Sequence, residues 1–273
     1  MSRMNQLRAP SFVLLSLLAA CLALGAEKPA TAPAPPPLPK ASGAFVVTSS
    51  LKTAFANQAA ATDDKFIYAI SNTQIVKYDR ETGKEIARST GDAHHLNSGY
   101  LLDGKIYCAH SNFPKKPDES DIRVLDPATM QLTVFHKFEN PPGSLTWCIH
   151  KGDGKDWWCH FAHYGKDHGK SVLVRYDENW KELGRWTSPP ELVAQWGNYS
   201  LSGGIWQGDD LLVTGHSAKA IYRVRVPKEG NVLQLIEEIP SPFPGQGLAV
   251  DPKTGSLIGL GGRGIQFAKY EKN

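Results

Sequence analysis

A two-strand phrase recurs along this chain, and its recurrence constrains the fold more than any other feature of the sequence. The first copy reads I-V-K-Y-D-R-E-T-G-K-E-I at 75–86, and further copies lie at 122–133, 173–183 and 221–233. Each copy alternates apolar and polar residues on both sides of a turn that is rich in Asp, Gly, Pro or Asn. The pattern is typical of a β-hairpin that buries one of its faces.

Turn signals upstream of each copy predict a second hairpin, so that each unit would contain four antiparallel strands. The strands after these turns begin near Lys65, Lys105, Asp156, Asp210 and Ser256, and successive units are therefore 40, 51, 54 and 46 residues apart. Propeller blades have about 40 to 50 residues each. The sequence therefore predicts an all-β fold, a five-bladed β-propeller of four-stranded antiparallel blades. A β-sandwich is the alternative, but it would not explain the matching double hairpins.

The last unit has room for only three strands before residue 273. A spare strand, A-F-V-V-T-S-S at 44–50, precedes the first complete unit. If it paired with the last unit, it would complete that sheet and cover its exposed edge. We therefore predict that residues 44–273 form the propeller and that the N-terminal strand closes the last blade.

Residues 1–26 have the layout of a signal peptide or lipoprotein leader, because Arg3 and Arg8 precede an uncharged apolar run that extends from Ser11 to Ala26. The run is short for a membrane span, which needs about 20 apolar residues. We therefore expect an exported protein that is periplasmic or extracellular.

Two processing routes are open for this leader. The segment L-A-A-C at 18–21 resembles the lipobox of bacterial lipoproteins, whereas A-L-G-A at 23–26 suits ordinary signal peptidase. Residues 27–43 are rich in Pro and Ala and predict an extended spacer. We expect contact with a membrane only through the leader or through a lipid anchor on Cys21.

The distribution of charge argues against a nucleic-acid partner. The chain has a formal net charge of +3, and residues 1–43 carry all of it, because four basic residues there face one glutamate. The predicted domain is therefore neutral and lacks a run of Lys and Arg that could follow a phosphate backbone. We expect a monomer that takes a small molecule or a sugar as its ligand.

The fold predicts one polar opening. In a propeller the innermost strand of each blade runs away from one face, here called the upper face, and the second strand returns to it. This places His110, His163 and His216 at equivalent corners of three consecutive blades. The other polar residues predicted near the axis or in adjoining turns of this face are Gln58, His94, His95, Asn97, Asn112, Ser144, Ser202, Gln246 and Arg263.

These residue types are suited to acid–base chemistry. Imidazoles with a pKa of about 6.5 accept and donate protons at neutral pH, while amides, hydroxyls and a guanidinium hold an oxyanion or a carboxylate. The predicted catalytic residues are His95, His110, His163, His216 and Arg263. The predicted substrate-binding residues are Gln58, His94, Asn97, Asn112, Ser144, Ser202 and Gln246. The alternative is that the histidines are hydrogen-bonded anchors of the loops that follow them.

The sequence predicts no cofactor. Three histidines in bonding geometry would suit a divalent metal such as zinc or copper, so a metal site formed by His110, His163 and His216 at the polar opening, here called the histidine funnel, stays an open alternative. No H-x-H or H-E-x-x-H spacing supports it. The predicted strand ends at this face contain no set of carboxylates for calcium.

Three cysteines fall in the predicted domain, namely Cys108, Cys148 and Cys159. The last two are equidistant from the turn at Asp153 and Gly154, so they should face each other across a hairpin. An oxidising compartment favours a disulfide there, and buried free thiols are the alternative.

Several phrases resemble a poorly characterised family of exported bacterial β-propellers, whose members often carry the name cycloisomerase. They are H-L-N-S-G, Y-C-A-H-S-N, T-W-C-I, F-A-H-Y, S-G-G-I-W, T-G-H and P-G-Q-G-L-A, all between about 90 and 251. The architecture is also similar to that of gluconolactonase-like and streptogramin-lyase-like propellers, but the chain lacks the carboxylate-rich calcium site of the former.

The resemblance implies chemistry on a small molecule and supplies no catalytic motif. Two classes of function therefore stay open. The first is a lyase, cycloisomerase or lactone hydrolase that uses histidine acid–base chemistry at the funnel. The second is a non-catalytic propeller that binds a glycan, a peptide or a cell-envelope partner.

Overall fold

Each of the five predicted units folds into a four-stranded antiparallel sheet, and the sheets are the blades of a five-bladed β-propeller. The structure is a computed structural model that describes residues 37–273. Its strands are β1 (Gly43–Lys52), β2 (Ala59–Thr62), β3 (Phe66–Ile70), β4 (Ile75–Asp79), β5 (Glu85–Arg88), β6 (His95–Leu102), β7 (Lys105–Ser111), β8 (Ser120–Asp126), β9 (Gln131–Lys137), β10 (Ser144–His150), β11 (Trp157–Ala162), β12 (Val172–Tyr176), β13 (Glu182–Thr187), β14 (Gly203–Gln207), β15 (Asp210–Thr214), β16 (Ala220–Arg225), β17 (Gln234–Pro240), β18 (Ala249–Val250), β19 (Leu257–Gly261) and β20 (Gly264–Lys272).

The strands follow the chain from the axis outward in each blade. Blades 1 to 4 contain β2–β5, β6–β9, β10–β13 and β14–β17, and blade 5 contains β18, β19, β20 and β1. The innermost strands β2, β6, β10, β14 and β18 contact one another around the axis. The prediction of five four-stranded antiparallel blades is therefore confirmed.

The N-terminal strand closes the ring, as the sequence predicted. Strand β1 pairs antiparallel with β20 from Gly43 opposite Lys272 to Lys52 opposite Gly264. Strands from the N-terminal and C-terminal parts of the propeller thus share one sheet, and β20 has a partner strand on each side.

The predicted leader and residues 27–36 of the predicted spacer lie outside the described residues. The last residues of that spacer pack against blade 4. Leu38 is buried, Lys40 forms a parallel bridge with Glu238, and the Ala41 amide donates to the Glu238 carbonyl at 2.9 Å. The ordered contacts of the propeller therefore begin before the predicted boundary at residue 44.

The hydrophobic core lies between the blades. Alternation along a strand sends successive side chains to opposite faces of a sheet, so each blade buries residues against both of its neighbours. Five clusters of buried residues result, one for each pair of adjacent blades. The cluster between blades 1 and 2, for example, joins Tyr68 and Ile70 to Leu96 and Ile106.

Two short helical turns lie in loops at the upper face, a 3₁₀ turn at Gly165–Lys170 and α1 at Pro190–Val193. Neither of these, nor any other helix among residues 37–273, has the length and hydropathy that crossing a bilayer requires.

Cys148 and Cys159 are directly opposite each other on β10 and β11, which is the register that the hairpin predicted. Both thiols are free and fully buried, and burial raises their pKa values. The structure therefore shows the second of the two alternatives for this pair, namely buried free thiols. Such thiols are poor nucleophiles because burial disfavours the thiolate.

Candidate functional site

The register of the inner strands fixes which residues share the upper face. His95 at the start of β6 is opposite Ser111 at the end of β7, and Ser144 is opposite Ala162 in the next blade. Starts of first strands and ends of second strands thus meet at one face. The individual side chains there have different surroundings.

His110 is held by hydrogen bonds at both ring nitrogens. Its Nδ1 lies 3.0 Å from the Asp121 carboxylate, and its Nε2 accepts the backbone N–H of His94 at 3.0 Å. Asp121 also accepts from Arg123 at 2.5 Å. Burial alone would raise the pKa of Asp121, but hydrogen bonds from His110 and Arg123 lower it. His110 has only 4% of its surface exposed, and its ring fastens the loop before β6 to blade 2.

The two other corner histidines have unrelated neighbours. His216 stacks face to face on Tyr199 at a centroid distance of 3.8 Å, and its Nδ1 lies 2.9 Å from the Ser217 hydroxyl. Burial lowers the pKa of His216. His163 is half-buried, and its backbone N–H donates to the Ser171 hydroxyl at 2.9 Å. The three histidines occupy equivalent strand ends, but these contacts tie each one to a different partner.

His95 belongs to an aromatic cluster over the upper end of the axis. Its ring packs on Phe113 at 5.2 Å, and Phe113 packs on Tyr164 at 4.5 Å. Burial lowers the pKa of His95, and the nearby His110 lowers it further. Beneath the cluster the Ser144 hydroxyl donates to Ser111 at 2.8 Å.

Two predicted residues lie in loops or turns of the upper face, away from the axis. Asn112 spans its own loop, donating to the Pro117 carbonyl at 2.9 Å and accepting from the Glu119 amide at 3.0 Å. Arg263 is exposed at the turn between β19 and β20, the second and third strands from the axis.

The remaining predicted residues lie close to the axis, where hydrogen bonds link each blade to the next. Gln58 also donates to Asn72 within blade 1 at 2.6 Å, and the Ser202 amide donates to the Thr214 carbonyl at 2.9 Å. Going round the ring, the links are Leu96 N to Asn72 O (2.8 Å), Asn97 Nδ2 to Leu145 O (3.2 Å), Thr146 Oγ1 to Leu201 O (3.0 Å), Thr214 Oγ1 to Gln246 O (2.5 Å) and Gly247 N to Gln58 O (2.9 Å). Among the predicted residues, the Asn97 side chain and the backbone carbonyls of Gln58 and Gln246 therefore help to hold the blades together.

His160 was not predicted as a site residue, and it is the most buried histidine of this region. It stacks on Trp147 at 5.4 Å, and its Nδ1 lies 2.8 Å from the Thr146 hydroxyl. Burial, reinforced by the nearby His163, lowers the pKa of His160 to about 3. The ring is therefore neutral and extends the link between blades 3 and 4.

A cavity on the axis opens at the opposite face, here called the lower face, where the innermost strands end. Its volume is 280 Å³. All five blades contribute to its wall, which consists of Ala61, Thr62, Gly99, Tyr100, Leu101, Ile149, His150, Gly152, Ile205, Trp206, Leu248, Ala249, Val250 and Pro252.

Besides Thr62, whose hydroxyl donates to Asp251, three side chains of this mostly apolar wall have polar atoms, namely Tyr100, His150 and Trp206. The rings of Tyr100 and His150 lie 6.1 Å apart. Within the described residues, His150 Nε2 and Trp206 Nε1 are buried and have no hydrogen-bond partner. Burial lowers the pKa of His150, although the Gly154 carbonyl opposes the shift, and burial raises the pKa of Tyr100.

The sequence contains a signal for this site in the lower ends of the inner strands. His150 is the last residue of β10, and Trp206 comes one residue before the end of β14. The strand counting that predicts the upper face also brings these ends together at the lower face. Tyr100 and Trp206 also pack against the core between blades 3 and 4.

Among residues 37–273, no group of three or more His, Cys, Asp or Glu side chains has the arrangement of a metal site. The three corner histidines accordingly form no such group.

Comparison with known proteins adds support for the fold. Neither a family model nor a curated protein matches the sequence. Among solved structures, the glutaminyl cyclase of Myxococcus xanthus is similar with a TM-score of 0.58 and 6% identity, over 84% of this chain and 97% of that chain. A chain of a mitotic checkpoint complex is less similar, with a TM-score of 0.44 and 9% identity over 77% and 74% of the two chains. At such identities the first similarity shows the propeller fold alone.

Proposed function

We propose that this protein binds a small molecule in the axial cavity and acts on it by acid–base chemistry, as a lyase, cycloisomerase or lactone hydrolase does. The observation that carries the proposal is an apolar cavity, walled by all five blades, whose lining includes the side chains of Tyr100, His150 and Trp206. A concave apolar site with a few polar groups is the usual form of a small-molecule site.

The volume of the cavity limits the size of the ligand. A protein cavity of about 150 Å³ holds benzene, and this one measures 280 Å³. It therefore suits one ring with a few substituents, which is the size of a simple lactone or of the open-chain acid that would close to it.

The three polar side chains divide the chemistry between them. His150 is neutral near pH 7 because burial lowers its pKa, so its imidazole can take a proton from the ligand once the side chain rotates to bring the buried Nε2 to the cavity. The Tyr100 hydroxyl keeps its proton, because burial raises its pKa, and can return one. Trp206 Nε1–H is a donor only, and a rotation of the indole that brings this buried atom to the cavity would let it hydrogen-bond to an oxygen that gains negative charge.

The fold is compatible with this proposal. The glutaminyl cyclase that this chain resembles is an enzyme on the same scaffold, and the family resemblance in the sequence implies small-molecule chemistry. A fold alone does not determine a reaction, so the argument depends on the cavity and its three polar side chains.

A second candidate keeps the chemistry at the upper face, with His95 as the proton-transferring group. The observation that favours it is the sequence of contacts from the half-buried His95 ring through Phe113 to Tyr164, above the hydrogen-bonded Ser144 and Ser111. In a purely binding propeller, neither His95 nor His150 would take part in turnover.

Replacing His150 should separate these alternatives. We expect His150→Gln to lower the turnover of monocyclic lactones, measured as acid release in a panel of such substrates, by about a hundredfold or more, the size of a lost general base. The matched control is His95→Gln at the upper face, which should keep wild-type turnover and a similar melting temperature. The reverse result would move the chemistry to His95, and a wild type that binds lactones without turning them over would support the binding propeller.

We also propose that the protein is exported, on the strength of the leader in its sequence. Intact-mass measurement of the protein from its native host tests this. A first residue at Cys21 carrying acyl chains indicates a lipoprotein, and an unmodified start near Ala26 or Glu27 indicates an unanchored exported protein. A mass that retains residues 1–20 would contradict export.

A further inference from the structure

We infer that the ligand of the axial cavity carries a carboxylate, which lies outside the cavity in a basic groove between blades 3 and 4. This inference rests on the proposed function because it uses the same cavity, and it specifies the chemical class of the substrate. The argument begins with the wall of the cavity, in which there is no Asp, Glu, Lys or Arg side chain. A charged group would lose its hydration there without gaining a counter-ion. The part of the ligand inside is therefore uncharged.

A groove of 650 Å³ adjoins the cavity and shares the Trp206 side chain as a wall. The hairpin between β10 and β11 also borders both spaces, since His150 and Gly152 line the cavity while Lys151 and Gly154 line the groove. The charged residues of the groove are Lys151, Asp156, Arg175, Asp209, Arg225 and Lys228. Four cations thus face two carboxylates.

The two carboxylates are already neutralised by neighbours. Asp156 pairs with Arg175 at 2.5 Å, and Asp209 pairs with Lys151 at 2.8 Å. Arg225 is paired in turn with Asp210, which lies outside the groove wall, so Lys228 is the groove cation that has no carboxylate partner in the described structure. Both Arg225 and Lys228 can meet a ligand from solvent, because Arg225 has half of its side chain exposed and Lys228 lies in the same wall.

Arg225 retains donors for a ligand. Its Nε and Nη2 donate to Asp210 at 2.6 and 3.1 Å, and Asp210 is not part of the groove wall. These bonds leave the Nη1 donors of the guanidinium free to bind a carboxylate. Lys228 adds a compact positive charge. The excess charge of the groove is small, which suits one monoanionic group better than a phosphate dianion.

Trp206 provides the connection between the two spaces. Its ring has the Lys151 ammonium above it at 4.7 Å and the edge of Trp158 at 4.9 Å, which hold it in place. Its indole Nε1 is buried and unpartnered in the described structure. A cyclic ligand beside this ring would leave its uncharged part on the axis and direct a substituent past Trp206 toward Lys228. The inferred substrate class is therefore a small cyclic carboxylic acid.

Pairs of compounds that differ only in charge test the inference. Benzoate and cyclohexanecarboxylate would each be compared with the matching amide by titration calorimetry at low ionic strength. The indole N–H signals of the protein, with Trp206 assigned by Trp206→Phe, would report where each compound binds. We expect each acid to bind about five- to tenfold more tightly than its amide, as one or two partly exposed ion pairs allow. Both compounds should shift the Trp206 signal.

Charge reversal then locates the effect. Lys228→Glu should remove the preference for the acid, whereas Lys253→Glu, an exposed lysine of a blade 5 turn outside the groove, should leave it unchanged. Amides that bind as tightly as acids at Trp206, or a preference that survives Lys228→Glu, would overturn the inference and leave the proposed function standing. If neither acids nor amides shifted the Trp206 signal, both would be overturned.

Discussion

Removing residues 1–52 should abolish cooperative unfolding, whereas removing residues 1–36 should leave the thermal transition unchanged. The longer deletion takes away β1, whose backbone pairs with β20 from Gly43 to Lys52. It also removes Phe45 from the core between blades 4 and 5 and Leu51 from the core between blades 5 and 1.

The expected loss is large compared with the stability of a domain. Full burial of a large apolar side chain contributes about 1.5 to 3 kcal/mol, and domains have only about 5 to 15 kcal/mol in total. The deletion removes such a residue together with a complete strand pairing and leaves β20 as an open edge, which promotes association between chains. We therefore expect a broad or absent transition in calorimetry and aggregates in size-exclusion chromatography.

The shorter deletion is the matched control, and its end point follows from the contacts of Leu38 and Ala41. A cut at residue 43, which the sequence suggested, would remove those contacts and is expected to lower the melting temperature by a few degrees. Identical transitions for the two deletions would show that the ring does not depend on β1.

The fold could be predicted because its signals are local. Each hairpin carries its own turn residues and alternation, and the spacing of the turns gives the number of blades. Closure also followed from counting strands, since the last unit lacked one. The symmetry of a hairpin about its turn likewise predicted that Cys148 and Cys159 lie opposite each other.

The surroundings of the site residues could not be predicted in the same way. Strand counting places His110 at a corner, but it does not say that Asp121 and the His94 amide occupy both ring nitrogens. Those partners come from the next strand and from a loop. Whether a histidine is free depends on such contacts, which leave no periodic signal in the sequence.

The position of the cavity also depends on details of the backbone. Register shifts in the inner strands fall at Asn97–Ser98 and at Thr146 and displace these residues from the regular ladder. Glycine permits close packing in the same region, since a side chain at Gly204 would lie 2.8 Å from the ring of Trp147. Asn97 and Thr146 hydrogen-bond to neighbouring blades near the upper end of the axis, and the cavity described above lies at the lower end.

The second large effect on stability is expected from replacing Asp251, whose side chain joins blade 5 to blade 1. Its fully buried carboxylate forms a two-pronged ion pair with Arg80, whose Nη1 donates at 2.8 Å, and accepts hydrogen bonds from Thr62 at 3.1 Å and Thr254 at 2.5 Å. Burial would raise the pKa of Asp251, but Arg80 and Thr254 outweigh it and lower the pKa to about 2.

Asp251→Asn should lower the free energy of unfolding at pH 7 by about 3 to 5 kcal/mol, because it leaves the largely buried Arg80 guanidinium without its counter-ion. The double variant Arg80→Met with Asp251→Leu should recover part of this loss, since it removes both charges together. Glu85→Gln breaks an exposed pair with Arg88 and serves as the control, with denaturation curves that should overlay those of the wild type.

The stabilisation that Asp251 provides should decrease as the pH is lowered. An unfolded aspartate has a pKa of about 3.9, and the folded value is lower, so the stabilisation from Asp251 is complete above about pH 5 and is lost as the pH falls toward 2. Urea denaturation of the wild type and of Asp251→Asn between pH 7 and pH 2.5 would measure the difference between them. That difference should shrink steadily below pH 4, where the carboxyl of the unfolded chain becomes protonated. A difference that stayed constant across this range would mean that Asp251 stabilises the ring through packing and neutral hydrogen bonds and that its ion pair with Arg80 contributes little.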